Sequence, residues 1–149
     1  MTWQPHVTVA TVIEDNGKFL LVEERCNGQL VFNQPAGHLD PDESLIQAAA
    51  RETLEETGWT VDIAGVVGAA LYTSPHNNVT YHRTTFFATP LSHNSEQNLD
   101  DGIERVVWMT LEQMHEHKAQ MRSELVITAV EQYLDGHRYP LSMIYDSLT

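Results

Sequence analysis

The chain has 149 residues, 42% of them hydrophobic, which is enough to form one buried core. Its 21 acidic and 8 basic residues give a net charge of −13, which opposes the phosphate neutralisation that binding to polymeric DNA or RNA requires. No apolar run approaches the roughly 20 residues that cross a bilayer, and Met1 to His6 lack the basic and apolar regions of a secretory signal. The one cysteine, Cys26, has no partner for an internal disulfide. We therefore expect a single cytoplasmic domain over residues 1–149, monomeric and bound to neither membrane nor nucleic acid.

The first part of the chain predicts β-structure. Strands are expected over Val7–Ile13 and Lys18–Glu23, joined by Asp15-Asn16-Gly17, a sequence that tolerates positive φ in a tight hairpin. A second turn at Asn27-Gly28 predicts a further strand through Gln29–Phe32.

A helix is predicted to begin at Asp40, where the hydrophobic period changes. Asp40 is a suitable N-cap, Pro41 suits the first helical position, and Glu43 would complete a capping box. Gly58 supplies the stop signal.

The remaining elements are two long strands, one short strand, two helices and a tail. In chain order they are expected at Val61–Tyr72, Val79–Thr89, Arg105–Met109, Leu111–His117 and Ser123–Leu134, with an extended tail from His137. Because the strands and helices must share one core, the pattern indicates an α/β sandwich around a mixed sheet.

The central helix concentrates carboxylates on one face. At about 100° per residue, Glu52, Glu55 and Glu56 lie together. Another face carries Ile46, Ala50, Thr53 and Thr57. Like charges at these spacings destabilise a helix by a few tenths of a kcal/mol per pair unless a cation neutralises them. A magnesium or manganese ion would do so and would leave positions for phosphate oxygens, whereas the alternative is a solvated acidic face.

The wider pattern is more specific than the three glutamates. Gly-x5-Glu-x7-Arg-Glu-x-x-Glu-Glu-x-Gly fixes seven positions between Gly37 and Gly58. The segment from Gly37 to Trp59 resembles the Nudix box. Thr53 and Trp59 stand where that family usually has aliphatic residues, a departure at packing positions that leaves every charged position of the motif in place.

Three further stretches extend the resemblance, and it points to the bacterial NudJ phosphatase branch of the Nudix hydrolase family. They are Pro5–Ala10, Asn33–Leu39 and Arg138–Leu141. The resemblance implies a Nudix-type α/β/α sandwich around a mixed β-sheet. It also implies hydrolysis of nucleoside di- and triphosphates or thiamine-type pyrophosphates, with release of phosphate.

The same resemblance implies which residues form the metal site. Glu52, Glu55 and Glu56 would hold magnesium ions, for which manganese can substitute, and would carry catalysis. Gly37 would offer a backbone carbonyl to a metal, although a turn that leads the chain into the helix explains this glycine as well.

Four neighbouring roles are also expected. Arg51 and Glu43 should pair and brace the box from behind the metal ligands. His38 would contact a substrate phosphate, and Tyr139, in the tail, would cover the site.

A carboxylate from outside the box is expected to complete the site from across the cleft, since the helix supplies ligands from one side only. The loop before the last predicted strand carries four candidates, which are Glu96, Asp100, Asp101 and Glu104. Glu104 is the first choice because it adjoins a rigid strand, and Asp101 is the second.

Two other functions stay open at this point. An ADP-ribose or nucleotide-sugar pyrophosphatase would use the same chemistry and would release two phosphomonoesters instead of orthophosphate. A ligand-sensing module that has lost catalysis is the alternative outside enzymology, but such a module is expected to lack box carboxylates, and this chain has them.

Overall fold

The computed structural model describes residues 2–147, in which seven β-strands, three α-helices and two short 3₁₀ turns are formed. The strands are β1 (His6–Asp15), β2 (Lys18–Cys26), β3 (Gln29–Asn33), β4 (Ala36–His38), β5 (Trp59–Thr73), β6 (Thr80–His93) and β7 (Ile103–Met109). The helices are α1 (Leu45–Thr57), α2 (Leu111–Glu116) and α3 (Leu125–Leu134), and the 3₁₀ turns lie at Lys118–Gln120 and Leu141–Met143.

The strands form the mixed sheet that the sequence predicts. Its order is β3-β2-β1-β6-β5, with β4 added beside β1 and β7 beside β2. Strands β1 and β6 run parallel, while the other pairs are antiparallel. The parallel pair places β4, β1 and β6 side by side, and this part of the sheet forms the floor of the site described below.

Helices cover the sheet on both sides. Val12 of β1 belongs to a buried cluster that includes Met114 of α2 and Val130 of α3. The next residue, Ile13, points the other way and packs in a second cluster with Ala49 of α1. This alternation confirms the predicted α/β arrangement of helices around a mixed sheet.

Both tight hairpin turns have the backbone conformation that their sequences predict. Asn16 and Gly17, between β1 and β2, have φ of 51° and 80°. Asn27 and Gly28, between β2 and β3, have φ of 52° and 78°. Positive φ at both central residues matches the right-handed twist of the flanking strands and fixes their register.

Helix α1 begins later than the sequence suggests. Its N-cap is Ser44, which forms a capping box with Gln47, and Asp40 lies outside the helix. The backbone N–H of Asp40 instead donates to Glu43 Oε1 at 3.0 Å, so the acidic turn is closed by its own hydrogen bond. The predicted end is confirmed, since Gly58 is the left-handed C-cap with φ of 76°.

The last part of the chain also differs from expectation. Helix α3 begins at Leu125, and the tail predicted to be extended contains the 3₁₀ turn at Leu141–Met143. Within residues 2–147, no helix has the length and apolar character needed to cross a membrane.

Candidate metal and phosphate site

A cleft of about 710 Å³ opens on the face of the sheet formed by β4, β1 and β6. The part of its lining beside α1, formed by Gly37, Glu52 and Glu56, is called the acidic end below. Two arginines, Arg83 and Arg122, also line the cleft, and Arg122 is paired with Glu24. The cleft therefore offers groups of both charges to a ligand.

Three carboxylates converge beside the acidic end, and one of them, Glu52, also lines the cleft. One oxygen each from Glu52 and Glu55 of α1 and from Asp100 of the loop between β6 and β7 lie within 4.8 Å of one another. The loop is tied to the helix, because the Asp100 N–H donates to the carbonyl of Glu55 at 3.1 Å and the Gln97 side chain donates to the carbonyl of Leu54 at 2.9 Å. Three converging carboxylate oxygens are a donor set that suits a hard divalent cation such as magnesium.

Of the four loop carboxylates considered from the sequence, the structure places Asp100 beside the helix, and a catalytic role for any of them stays a prediction. Glu104, the first choice from the sequence, is the second residue of β7 and accepts a hydrogen bond from Arg25 of β2 at 2.6 Å. Because β7 pairs with β2, the Glu104 side chain meets that strand instead of α1. Among the described residues, the acidic cluster contains Asp100 and neither Glu104 nor Asp101.

Glu56 is set apart from the other two box glutamates. Its side chain is buried, and its Oε1 accepts a hydrogen bond from the backbone N–H of Ala36 at 2.9 Å. Burial raises the pKa of the Glu56 carboxyl to about 9, and the nearby charges of Glu24, Glu52 and Asp100 act in the same direction. A cation bound at this end of the cleft would oppose that shift and favour the ionised form.

Gly37 is required by the position of Glu52. A Cβ atom built at residue 37 would overlap the carboxylate of Glu52, so only glycine leaves that group in place. Partial burial raises the pKa of the Glu52 carboxyl, while the neighbouring Arg51 lowers it. The close approach of β4 to α1 thus positions one carboxylate of the cluster.

Arg51 braces the box through several contacts at once. Its Nε donates to Glu43 at 2.5 Å, which is the pair expected from the sequence. Its Nη1 donates to Glu52 at 2.8 Å and Glu55 at 3.2 Å, and its Nη2 donates to the His38 carbonyl at 3.1 Å. These carboxylates raise the pKa of Arg51, and the fixed guanidinium holds two glutamates of the cluster in place.

The two expected substrate contacts have different positions. His38 lines the cleft, and its Nε2 lies 3.1 Å from Nδ1 of His6. Burial, followed by the charge of His6, lowers the pKa of His38. Tyr139 is not part of the cleft lining; its backbone exchanges two 2.8 Å hydrogen bonds with Val66, so its tail segment is anchored to β5.

The structure adds a polar group that the sequence analysis missed. Arg83 of β6 is buried, and its Nη2 donates to the side-chain oxygen of Gln34 at 2.7 Å. The Gln34 amide donates in turn to the carbonyl of Val126 at 2.7 Å. Beside them, Arg122 donates to Glu24 at 2.5 Å. These partners are 49 to 98 residues apart in sequence, and no local pattern signals such contacts.

Comparison with known proteins agrees with this geometry. A sequence model of the family described as the NUDIX domain matches residues 2–129. The Escherichia coli (strain K12) protein named Phosphatase NudJ is 39% identical over 144 residues, which cover 97% of this chain and 93% of that protein. The structure of a NUDIX hydrolase from Nitrosomonas europaea is 42% identical with a TM-score of 0.95, and the match covers 97% of this chain and 99% of that one.

A more distant structure shares the fold alone. The NUDIX domain of Shewanella oneidensis NrtR, solved in complex with ADP ribose, is 20% identical with a TM-score of 0.73, covering 90% of this chain and 89% of that one. Together with the full-length matches, these findings show that the chain belongs to the Nudix family and is a Nudix hydrolase. Within the family it is similar over nearly its whole length to the bacterial phosphatases named NudJ.

Proposed function

We propose that the protein is a magnesium-dependent phosphohydrolase that cleaves a phosphoanhydride bond in nucleoside di- and triphosphates or thiamine-type pyrophosphates and releases phosphate. The observation that carries this proposal is the cluster of Glu52, Glu55 and Asp100, of which Glu52 lines the cleft. The similarity of the chain to proteins named Phosphatase NudJ supports phosphate as the product.

The donor set fits a divalent cation of the magnesium type, with manganese as a substitute. Glu52, Glu55 and Asp100 would hold it, and Glu56 would join them once the cation lowers the pKa of its carboxyl. The ion would supply charge stabilisation on phosphate oxygens and would lower the pKa of an attacking water molecule. The carbonyl of Gly37 remains a proposed additional ligand.

The other residues of the box position these groups. Arg51, itself fixed by Glu43, orients Glu52 and Glu55. One of the box glutamates accepts the proton of the attacking water, which is general base catalysis. His38 lies at the same end of the cleft, where its ring can contact a phosphate oxygen.

The remaining parts of the proposal concern the setting of the enzyme. We propose one domain over residues 1–149 that acts as a monomer in the cytoplasm on a small diphosphate-containing metabolite. The net charge of −13 supports the exclusion of polymeric nucleic acid as a partner.

The test is a phosphate-release screen with and without magnesium. The substrates are nucleoside di- and triphosphates, thiamine pyrophosphate, ADP-ribose and a dinucleoside polyphosphate. Magnesium-dependent orthophosphate release that is lost in Glu52→Gln would support the proposal. A matched control is Glu116→Gln, a change of the same chemistry at an exposed position of α2 outside the cleft, which should keep wild-type activity.

Other products would assign other functions. Two phosphomonoester products in place of orthophosphate would identify an ADP-ribose or nucleotide-sugar pyrophosphatase. Absence of turnover with every substrate in the presence of magnesium would overturn hydrolysis and favour a ligand-sensing module.

A further inference from the structure

Arg83 is a buried arginine in the floor of the cleft. Among the described residues, its Nε atom has no hydrogen-bond partner. Within residues 2–147, no carboxylate lies within ion-pair distance of its guanidinium, whereas the nearby Arg122 is paired with Glu24. Burial, followed by the charge of Arg122, lowers the pKa of Arg83 to about 10, while the more distant charge of Glu24 opposes this shift, so the group remains charged at neutral pH.

Such an arrangement is costly for the free protein. The penalty for burying an unpaired ion is several kcal/mol, even after the surroundings relax. A ligand atom with negative charge or partial negative charge would recover part of that penalty. Arg83 lines the cleft, where such an atom can reach it.

The neighbouring amide of Gln34 fixes the position of the guanidinium. The oxygen of Gln34 accepts a hydrogen bond from Arg83, and its NH₂ group donates to the carbonyl of Val126. The guanidinium itself has only N–H donors, so a ligand that contacts it must present an acceptor.

The sheet register gives the distance between this group and the acidic end. Thr8 of β1 pairs with His38 of β4 on one side and with Arg83 of β6 on the other, so all three side chains share one face. Two strand spacings separate β4 from β6, which is roughly 10 Å. Gly37, which contacts Glu52, is the neighbour of His38 on β4. An extended nucleotide is long enough for its base to reach Arg83 when its terminal phosphates lie at Glu52.

Aromatic rings stand on the same face. Tyr72 of β5 pairs directly with Tyr81 of β6, and Tyr81 is two residues before Arg83, so the three side chains point to the same side of the sheet. Both tyrosines line the cleft and are partly exposed. Aromatic rings of this kind stack on heterocycles.

We propose that Arg83, held by Gln34, donates hydrogen bonds to a ring carbonyl of the substrate base and so selects nucleotides that carry one. Guanine presents O6 and N7 acceptors on one edge, whereas adenine presents an amino donor in the O6 position, which would face the N–H groups of Arg83. This inference rests on the proposed function, since it assumes that the phosphates lie at the acidic end. It narrows the substrate class to nucleotides with carbonyl-bearing bases.

The test measures dissociation constants by calorimetry in the presence of magnesium. The probes are the β,γ-methylene analogues of GTP and ATP, which resist hydrolysis between the last two phosphates, and methylenebisphosphonate, which has no base. The wild-type protein should bind the GTP analogue at least about tenfold more tightly than the ATP analogue. Arg83→Gln should remove that preference while leaving methylenebisphosphonate binding unchanged.

Two further variants keep the test decisive. Arg83→Lys retains the buried charge but loses the planar arrangement of N–H donors, so it should lower the preference for the GTP analogue. This variant provides the test if Arg83→Gln does not fold. Arg105→Gln, at an exposed arginine paired with Glu23 outside the cleft, should preserve it.

Each contrary result has a distinct meaning. Equal affinity of the wild-type protein for the two nucleotide analogues would overturn the base contact while leaving the phosphate site intact. The same conclusion would follow if Arg83→Gln weakened the binding of methylenebisphosphonate as much as that of the GTP analogue. Failure of the wild-type protein to bind any of the three probes with magnesium would overturn the proposed function as well.

Discussion

Replacing Asp100 with asparagine should change the stability of the metal-free protein and its affinity for magnesium in opposite directions. Asparagine has the same shape, and the backbone hydrogen bond from residue 100 to Glu55 is unaffected by the side chain. The substitution therefore removes one charge from the cluster with Glu52 and Glu55 and leaves the path of the loop unchanged.

The expected size follows from the separation of the carboxylates. The carboxylate oxygens lie within 4.8 Å of one another, and two like charges at that separation repel by about 0.9 kcal/mol in a medium with the dielectric constant of water, which is appropriate because Asp100 is exposed. Relief of this repulsion should raise the melting temperature of the metal-free protein by about 2–4 °C. A divalent ion held no farther from Asp100 than this would lose at least about twice that energy in attraction, so the dissociation constant for magnesium should rise at least about tenfold.

Calorimetric titration with magnesium and thermal unfolding in a chelator measure the two effects. Glu104→Gln is the matched control, because it removes a carboxylate from the same region but breaks only an exposed ion pair with Arg25. Exposed pairs contribute about 1 kcal/mol or less, and magnesium affinity should be unchanged in this variant. If Asp100→Asn kept the wild-type affinity for magnesium, or if Glu104→Gln lowered that affinity, the assignment of Asp100 as a metal ligand would be refuted.

Three further substitutions test other parts of the site. Gly37→Ala should weaken magnesium binding in calorimetry with α1 intact in circular dichroism, because the added Cβ displaces the Glu52 carboxylate; unchanged affinity would contradict this. Glu56→Gln should lower turnover about a hundredfold or more in the phosphate assay. In metal-free wild-type protein, protonated Glu56 contributes stability that is fully present below its usual pKa of 4.5 and lost as pH rises through about 9, by up to about 1.4 kcal/mol per pH unit. Denaturant titrations at pH 5 to 9 should therefore show wild type losing stability relative to Glu56→Gln, and parallel profiles would exclude the raised pKa. Tyr139→Phe should keep wild-type kcat and KM, because the hydrogen bonds between Tyr139 and Val66 are made by the backbone. A large rise in KM would instead indicate that the Tyr139 hydroxyl contacts the substrate.

Local chemistry predicted most of the elements that carry the site. Paired positive-φ residues such as Asn16 and Gly17 placed the hairpins, and Gly58 placed the end of α1. The predicted start of α1 was wrong because two possible N-cap sequences lie close together in the chain. Asp40 with Glu43 and Ser44 with Gln47 both have capping-box spacing, and tertiary packing selects the second.

The site itself was predictable only where its residues are close in sequence. Periodicity placed Glu52 and Glu55 on one face of the helix, and the structure brings their carboxylates together. The choice between Asp100 and Glu104 depended on how the loop crosses the helix, which is fixed by tertiary hydrogen bonds such as the one from Asp100 to Glu55. The hydrogen bond from Arg83 to Gln34 joins residues that are 49 positions apart and has no local sequence signal.

The central claim, that water attacks a phosphoanhydride under the control of the acidic cluster, is tested most directly by one turnover in ¹⁸O-labelled water. Enzyme in excess over the nucleotide or thiamine-type substrate found in the phosphate-release screen would be quenched after a single turnover, and the products and the intact protein analysed by mass spectrometry. One solvent oxygen should appear in a product only when magnesium is present, and no phosphorylated protein should accumulate. A phosphorylated side chain, or equal turnover in a chelator and in magnesium, would contradict the claim.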